Sequence, residues 1–479
     1  MIDFQTQLYT SRRAYINEIE PDTFIFYSPD NKGLPFIGHK KVKEVFERYN
    51  DGSSVLEALV QDNADEQSTS LQITKYLFDK GLLRETPTPQ RYSALEFPKP
   101  EKVKSLSSWF HINNGCNLGC DYCFVNKDKA KMTREIMIKS LDRIYNTAVL
   151  HDLNAVTKKF AGGEPTLSVD DMLWCYDYLT EKFEGKEIKL HFAILTNGTI
   201  LNDKLLEFLK RDNVGLSISL DGFGEESHDI HRYFVNSKTK KGSWKFIIKN
   251  IERLIENGVH PFILATISEE TADTLPDLVE WVFTKGLRTR LSVVRQPNST
   301  WDNIQQRKHE YKKLNDKMIA SFEKAFSLLE GERFNLNLRN AMNICELHFE
   351  QPSYTATCGI GTNHIVIQED GKLASCPMTL KETNVEATDD LLTSIRKTFP
   401  FNPAKRNEST EKNCLDCNWF PVCTSGCPVN NERVTGEAFT ISPLHDFYAF
   451  VIPRYINFYG LKLLQKAKKL NVQNDMIIS

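Results

Sequence analysis

Asn114-Gly115-Cys116-Asn117-Leu118-Gly119-Cys120-Asp121-Tyr122-Cys123-Phe124 decides how the 479-residue chain is read. This run follows a strand-like segment at 109–113, and further strand-like segments recur at 157–161, 188–196, 215–220, 262–267 and 290–295. Helical periodicity fills most of the intervals, at 133–149, 170–183, 204–210, 244–257 and 275–285. Strands alternating with helices predict a parallel sheet. Six such units are too few for a complete eight-stranded barrel, so the expected fold is α/β with an open, partial (β/α)6 barrel. Loops leaving the C-terminal strand ends carry the chemistry in such barrels, and the cysteine run leaves the first strand.

Three residues separate the first two thiols and two separate the last pair. A compact loop with that spacing can present three soft thiolates to one iron–sulfur cluster. Three cysteines around a 4Fe–4S cluster leave one iron open to a small molecule. A structural zinc site wants four ligands in a closed shell. No fourth Cys or His lies close by on the C-terminal side, although His111 sits in the preceding strand. Spacing alone leaves zinc, or a buried thiol group, open beside the cluster.

The run resembles the signature of the radical S-adenosylmethionine (SAM) superfamily, in which the open iron chelates the amino and carboxylate groups of SAM. The resemblance spans about residues 106–300. Tyr122 matches an aromatic residue expected near the adenine. Gly162-Gly163-Glu164-Pro165 follows the second strand and matches the family's GGEP motif. Glycines permit close backbone approach, and Glu164 would set an acceptor near the ligand's ammonium. Thr196-Asn197-Gly198 and Ser219-Leu220-Asp221-Gly222 end the third and fourth strands; Thr196 and Ser219 would offer hydroxyls to ribose or carboxylate. Arg232 matches an arginine expected near the ligand carboxylate, which a guanidinium suits. Asp221 is the candidate base, with Asp229 near the same rim; a structural acceptor is the other reading of each. The resemblance implies one-electron cleavage of SAM to a 5′-deoxyadenosyl radical, which takes a hydrogen from the substrate.

A second cysteine group begins at Cys358, with Gly371 and Cys376 after it, and continues through Cys414, Cys417, Cys423 and Cys427. Two cysteine pairs could close a zinc site. The pattern resembles the SPASM domain, a C-terminal extension that binds two auxiliary 4Fe–4S clusters, making three in all. That resemblance implies Cys358, Cys376 and Cys427 for the first auxiliary cluster, and Cys414, Cys417 and Cys423 for the second. Where the family pattern ends in a seventh cysteine after Ser-Pro, this chain has Ser442-Pro443-Leu444-His445. His445 is therefore the expected fourth ligand of the second cluster, a substitution that raises reduction potential. For the first, His364, Cys345 or an open position are the candidates. Cys175, in a helical stretch, reads as core packing.

Residues 1–85 combine a strand-like segment at 23–28 with helical periodicity at 40–49 and 67–80, and a linker with Pro87, Pro89, Pro98 and Pro100 follows. This resembles the winged-helix-like peptide-recognition modules of maturases, which hold a leader peptide as an added strand. The expected organisation is 1–98 recognition module plus linker, 99–303 radical SAM partial barrel, 304–350 helical bridge with helices at 305–329 and 338–349, and 351–479 SPASM domain.

Composition supports an ordinary globular chain: 41% hydrophobic, 26% charged, net charge −3. Nothing in that balance suggests nucleic acid, no run of about 18 apolar residues suggests a membrane span, and the N-terminus lacks a signal-peptide pattern. A cytoplasmic location is expected, where eleven cysteines, all but Cys175 and Cys345 in two clusters, point to metal rather than disulfides. The expected function is maturation of a ribosomal precursor peptide bound through its leader. The product would be a cross-link, either a C–C cyclophane or a thioether, with flavodoxin or ferredoxin as electron donor. The competing readings are a formylglycine-forming sulfatase-maturing enzyme and a non-catalytic, metal-stabilised peptide-binding protein.

Overall fold

The computed structural model describes residues 2–30, 33–87, 98–235, 237, 240–295, 304–334, 342–344, 346–349, 358–380, 382, 385–401, 414, 416–470 and 477–478. The N-terminal module runs β1 (Gln7–Thr10), β2 (Tyr15–Glu20), β3 (Thr23–Tyr27), β4 (Phe36–His39), α1 (Lys40–Glu47), β5 (Ser53–Ser54), α2 (Val55–Leu59), α3 (Ala64–Asp79) and β6 (Leu83–Arg84). Strands β2, β3 and β4 form an antiparallel meander, and β1 pairs with both β5 and β6. Period-two alternation gives the meander two apolar faces. Phe24, Phe26 and Phe36 pack with Val42, Val45, Ile73 and Leu77 of α1 and α3 in the module's own core. Ile25, Tyr27 and Ile37 point the other way and join the main core, where the C-terminal helix His445–Lys469 packs against all three strands. Gly460 makes that approach possible, since a Cβ there would lie 2.8 Å from Ile25 Cδ1.

The central sheet contains six parallel strands in sequence order: β7 (Ser105–Asn113), β8 (Ala155–Gly162), β9 (Lys189–Thr196), β10 (Val214–Ser219), β11 (Phe262–Ile267) and β12 (Arg288–Val293). Helices α4 (Arg134–Leu150), α5 (Val169–Phe183), α6 (Asp203–Leu209), α7 (Glu225–His228), α8 (Trp244–Glu256) and α9 (Leu275–Thr284) connect them. Phe110, Val156, Phe160, Phe192, Ile194, Ile218, Ile263 and Leu291 are buried on one face, in the main core. Alternate residues on the other face are largely polar and line a cavity, among them Ser107, His111, Lys159, Ser219, Thr266 and Arg290. A parallel sheet covered on both faces reads apolar throughout; the polar inner face marks where the chemistry belongs.

Two features depart from expectation. The segment expected as a helix at 338–349 contains, in its described part, strand β13 (Met342–Ile344), which pairs parallel with β12. Met342 and Ile344 are buried and Asn343 is exposed, a period-two pattern. Beyond the cysteine at 358, β14 (His364–Ile367) pairs parallel with β7, and β15 (Leu373–Ala374) pairs antiparallel with β14. The sheet is thus nine-stranded, β13-β12-β11-β10-β9-β8-β7-β14-β15, and crosses the boundary expected at 351. Helix α10 (Ile304–Leu329) forms as expected and packs on α9 and the C-terminal helix. Among the described residues, no helix is long and apolar enough to cross a membrane.

Candidate active site

The cysteine loop is pinned by backbone hydrogen bonds from three directions. Gly163 N and Glu164 N each donate at 2.7 Å, to Asn113 O and Gly115 O. Gly119 N donates to Tyr233 O at 2.7 Å, and Asn114 N to Ala130 O at 2.9 Å. The glycine pair after β8 is sterically required: a Cβ on Gly163 would sit 2.2 Å from Gly115 O, and one on Gly162 would sit 2.3 Å from Asn113 O. Gly162 also has φ +144°, a region L side chains avoid. His111, the nearby histidine, is buried with Nε2 2.7 Å from Asn114 Oδ1, which fixes the loop from below.

Several residues of the expected site hold their neighbours. Glu164 is fully buried; its carboxylate accepts from Thr166 N at 3.0 Å, Thr166 Oγ1 at 2.6 Å, Thr196 Oγ1 at 2.7 Å and Asn197 N at 2.7 Å. Burial raises its pKa against the opposing pull of these donors. Its side chain therefore ties the GGEP turn to the end of β9. Asp221 is likewise buried. It accepts from Arg232 Nε at 2.6 Å, from Thr266 N at 3.0 Å and from the Tyr122 hydroxyl. Burial works against its charge, but the Arg232 guanidinium and His228 prevail and hold its carboxyl below the ordinary range. A buried carboxylate held ionised by these donors is poorly placed to take a substrate proton. Asp229 accepts from Ser243 N and Trp244 N, at 2.8 and 2.9 Å, at the start of α8.

Tyr122, Thr196, Ser219 and Arg232 do line the cavity, together with Cys116, Cys120 and Cys123. Arg232 lies 5.6 Å from the centre of the Tyr122 ring, and its Nη1 is 4.0 Å from Cys120 Sγ. Asn197, not singled out in the sequence although it lies inside the Thr-Asn-Gly stretch, donates from Nδ2 to Cys116 Sγ at 3.7 Å and to Asn117 Oδ1 at 2.8 Å. Burial raises the Cys116 thiol pKa and pushes Cys120 up to about 11. Such thiols release protons only when a metal supplies positive charge. The donor set fits a 4Fe–4S cluster: three thiols on one loop, glycines that admit close approach, and N–H donors aimed at sulfur. Among the described residues, no group of three or more His, Cys, Asp or Glu is arranged to hold a single metal ion; a cubane holds its thiolates farther apart than one ion does.

The cavity has a volume of about 560 Å³ and is also lined by a second thiol group, Cys358, Cys376 and Cys427. Cys358 and Cys376 both act on the charge of Cys427, whose thiol burial pushes up strongly. Cys414 and Cys417 act in the same way on Cys423, which burial pushes up to about 12. Cys358, Cys376 and Cys427 thus meet at one cavity. His445 is exposed, opens the C-terminal helix and donates its backbone N–H to Ser442 O at 3.0 Å. His364 lines the cavity beside the first group, and Cys345 lies outside the described residues. Cys175 is buried in the core, as expected.

Comparison with known proteins agrees with this geometry. The cysteine-type anaerobic sulfatase-maturating enzyme of Clostridium novyi is 29% identical over 346 residues, 69% of this chain and 90% of that one. The subtilosin biosynthesis protein AlbA of Bacillus subtilis is 25% identical over 302 residues, 60% of this chain and 57% of that one. The solved structure of native anSMEcpe with bound AdoMet matches the fold with a TM-score of 0.55 at 19% identity, covering 74% of this chain and 98% of that one. Residues 110–282 match the radical SAM superfamily, so the chain contains a radical SAM domain, built on the sheet and cysteine loop described above.

Proposed function

We propose that this enzyme modifies a ribosomal precursor peptide, with the reacting segment held in the cavity between two iron–sulfur sites. The carrying observation is that one cavity touches both Cys116/Cys120/Cys123 and Cys358/Cys376/Cys427. Cys116, Cys120 and Cys123 would hold the SAM-binding 4Fe–4S cluster, Cys358, Cys376 and Cys427 the first auxiliary cluster, and Cys414, Cys417 and Cys423 the second. With SAM bound, the first cluster supplies reductive cleavage to a 5′-deoxyadenosyl radical. Arg232 and Asn197 place positive dipoles and charge at the loop's sulfurs; Tyr122, Thr196 and Ser219 line the space for SAM. Asp221 positions Tyr122 and Arg232. Net oxidation through the auxiliary clusters favours a cross-link, cyclophane or thioether, with flavodoxin or ferredoxin as donor.

The N-terminal module is the leader-binding unit in this reading. Among the described residues β2 is an edge strand, while the opposite edge, β4, is paired with Ile477–Ile478. An edge with free backbone groups can accept a peptide as an added strand. The sulfatase-maturating match favours a second reading, formylglycine formation in a sulfatase; it accounts for 90% of that relative but 69% of this chain.

Anaerobic reconstitution followed by mass spectrometry of two substrates separates them. A precursor peptide with its leader should lose two hydrogens and gain no oxygen, with 5′-deoxyadenosine formed. Modification of a sulfatase-derived Cys or Ser peptide alone would instead assign formylglycine formation.

A further inference from the structure

The two edges of the N-terminal meander differ in kind. Among the described residues β2 is free, but it is blunted. Its register with β3 shifts between Glu18 and Glu20, and Asn17 and Glu18 are exposed. Bulges and charged side chains are common means by which a sheet edge refuses a further strand. At β4, Phe36, Ile37 and Gly38 are buried, and the edge already holds an added strand. That strand is Ile477–Ile478, paired antiparallel with Ile477 opposite Gly38 and Ile478 opposite Ile37.

The added strand shows what the edge selects. Adjacent residues of a strand point to opposite faces. Ile477 packs on the module's own core and Ile478 on the main core. An occupant that fills both faces therefore needs two adjacent aliphatic side chains. Gly38 has no side chain on the face it shares with Ile477, and a Cβ there would lie 2.9 Å from Phe26 Cε2 and 3.1 Å from Val42 Cβ. A glycine within a strand marks such a close approach. The C-terminal helix contacts both β4 and the added strand. Among the described residues the hold on that strand is slight: the pairing is two residues long, and both isoleucines are partly exposed. Ordinary strands are longer.

We propose that the β4 edge is an exchange site. Ile477–Ile478 holds the place of the peptide substrate's leader, which binds there as an extended segment with two adjacent aliphatic residues and displaces them. This rests on the peptide-modifying reading and narrows it to one edge and one recognition pattern. Self-occupancy lowers the apparent affinity for the leader by the fraction of chains whose edge is open. A peptide without the aliphatic pair cannot replace what it would displace.

The test uses the full chain, anaerobically reconstituted, as wild type, as Ile477→Asp/Ile478→Asp and as the milder Ile477→Ala/Ile478→Ala. The probe is a fluorescein-labelled synthetic peptide carrying residues 471–479, read by fluorescence anisotropy. A control peptide has aspartate at both isoleucine positions. The peptide should bind the aspartate variant roughly tenfold or more tightly than wild type, and the alanine variant to an intermediate degree. The control peptide should bind none of the three. Thermal melts and uncoupled 5′-deoxyadenosine formation should match wild type in both variants; if the aspartate variant does not fold, the alanine variant decides. Equal affinity in wild type and variants overturns the proposal, as does binding of the control peptide or failure of the peptide to bind a folded variant. With a precursor peptide and reductant, the alanine variant should lower KM severalfold at unchanged kcat. An unchanged or raised KM overturns the leader as the occupant. No modification of the precursor by wild type or variant, with the peptide still discriminating between them, strikes the peptide-modifying reading and leaves the exchange edge standing.

Discussion

The two cysteine regions solve the same chemical problem in opposite ways. Cys116, Cys120 and Cys123 sit within one loop, clamped by the backbone of the turn after β8. Cys358, Cys376 and Cys427 are scattered along the C-terminal region and meet only because β14 joins the edge of the central sheet beside β7. In the first region local chain geometry presets the site. In the second, tertiary packing must form before the thiols converge, so the order of assembly should differ: the loop can load metal early, the scattered set late.

The largest expected effect breaks the comparison by chemistry. Cys116→Ala should abolish 5′-deoxyadenosine and remove about four irons per chain, while Cys427→Ala should remove a similar number yet leave uncoupled SAM cleavage measurable. Iron counting and a deoxyadenosine assay read both. If Cys427→Ala also stops cleavage, the regions are not separable.

Next in size is the clamp. Gly163→Ala places a Cβ 2.2 Å from Gly115 O and 2.4 Å from Asn114 O, and should destabilise by about 1–3 kcal/mol. Reconstituted iron at the first loop should fall while the auxiliary sites fill normally, seen by Mössbauer or EPR on the variant.

A third test is pH. His228 is buried, and burial, opposed by Asp221, drives its pKa to about 3. Its Nδ1 accepts from Asp221 N at 3.2 Å and its Nε2 lies 3.1 Å from Ser243 Oγ. The unfolded chain binds the proton more readily, so the neutral ring's contribution is complete above the ordinary histidine range and is lost as pH falls toward 3. Between pH 6.5 and 5 that is about 2 kcal/mol. Thermal melts of wild type and His228→Asn across this window should show a flatter profile in the variant.

The smallest effect is expected at the far seam, where Lys468 Nζ pairs with Glu20 at 2.7 Å on an exposed surface. Lys468→Ala should change stability by less than about 1 kcal/mol and leave SAM cleavage unchanged, whereas Gly460→Val, at the close approach to Ile25, should loosen the N-terminal module and weaken leader binding. Limited proteolysis compares the two.

Much of the fold was legible because it is written locally. Alternation at 157–161 and 262–267 and the 3.6-residue periodicity between them marked six strands and their helices. Segment 342–344 escaped because three residues carry too little periodicity to tell strand from helix. Site legibility followed the same line. The loop cysteines stood out by spacing and the set around Cys358 by its resemblance, whereas the carboxylates of Glu164, expected near the ligand's ammonium, and of Asp221, the candidate base, are hydrogen-bonded to neighbours.

By itself, then, the sequence determined the parallel α/β architecture and the three-cysteine loop after its first strand, because periodicity and spacing are properties of adjacent residues; the grouping of the later cysteines came from a resemblance. Only the tertiary structure decided that the sheet extends to nine strands, that one cavity joins two thiol groups, and that His445 opens the C-terminal helix at an exposed position. Those outcomes depend on hydrogen-bond partners and charges brought from distant parts of the chain, and no local pattern encodes which of them will meet.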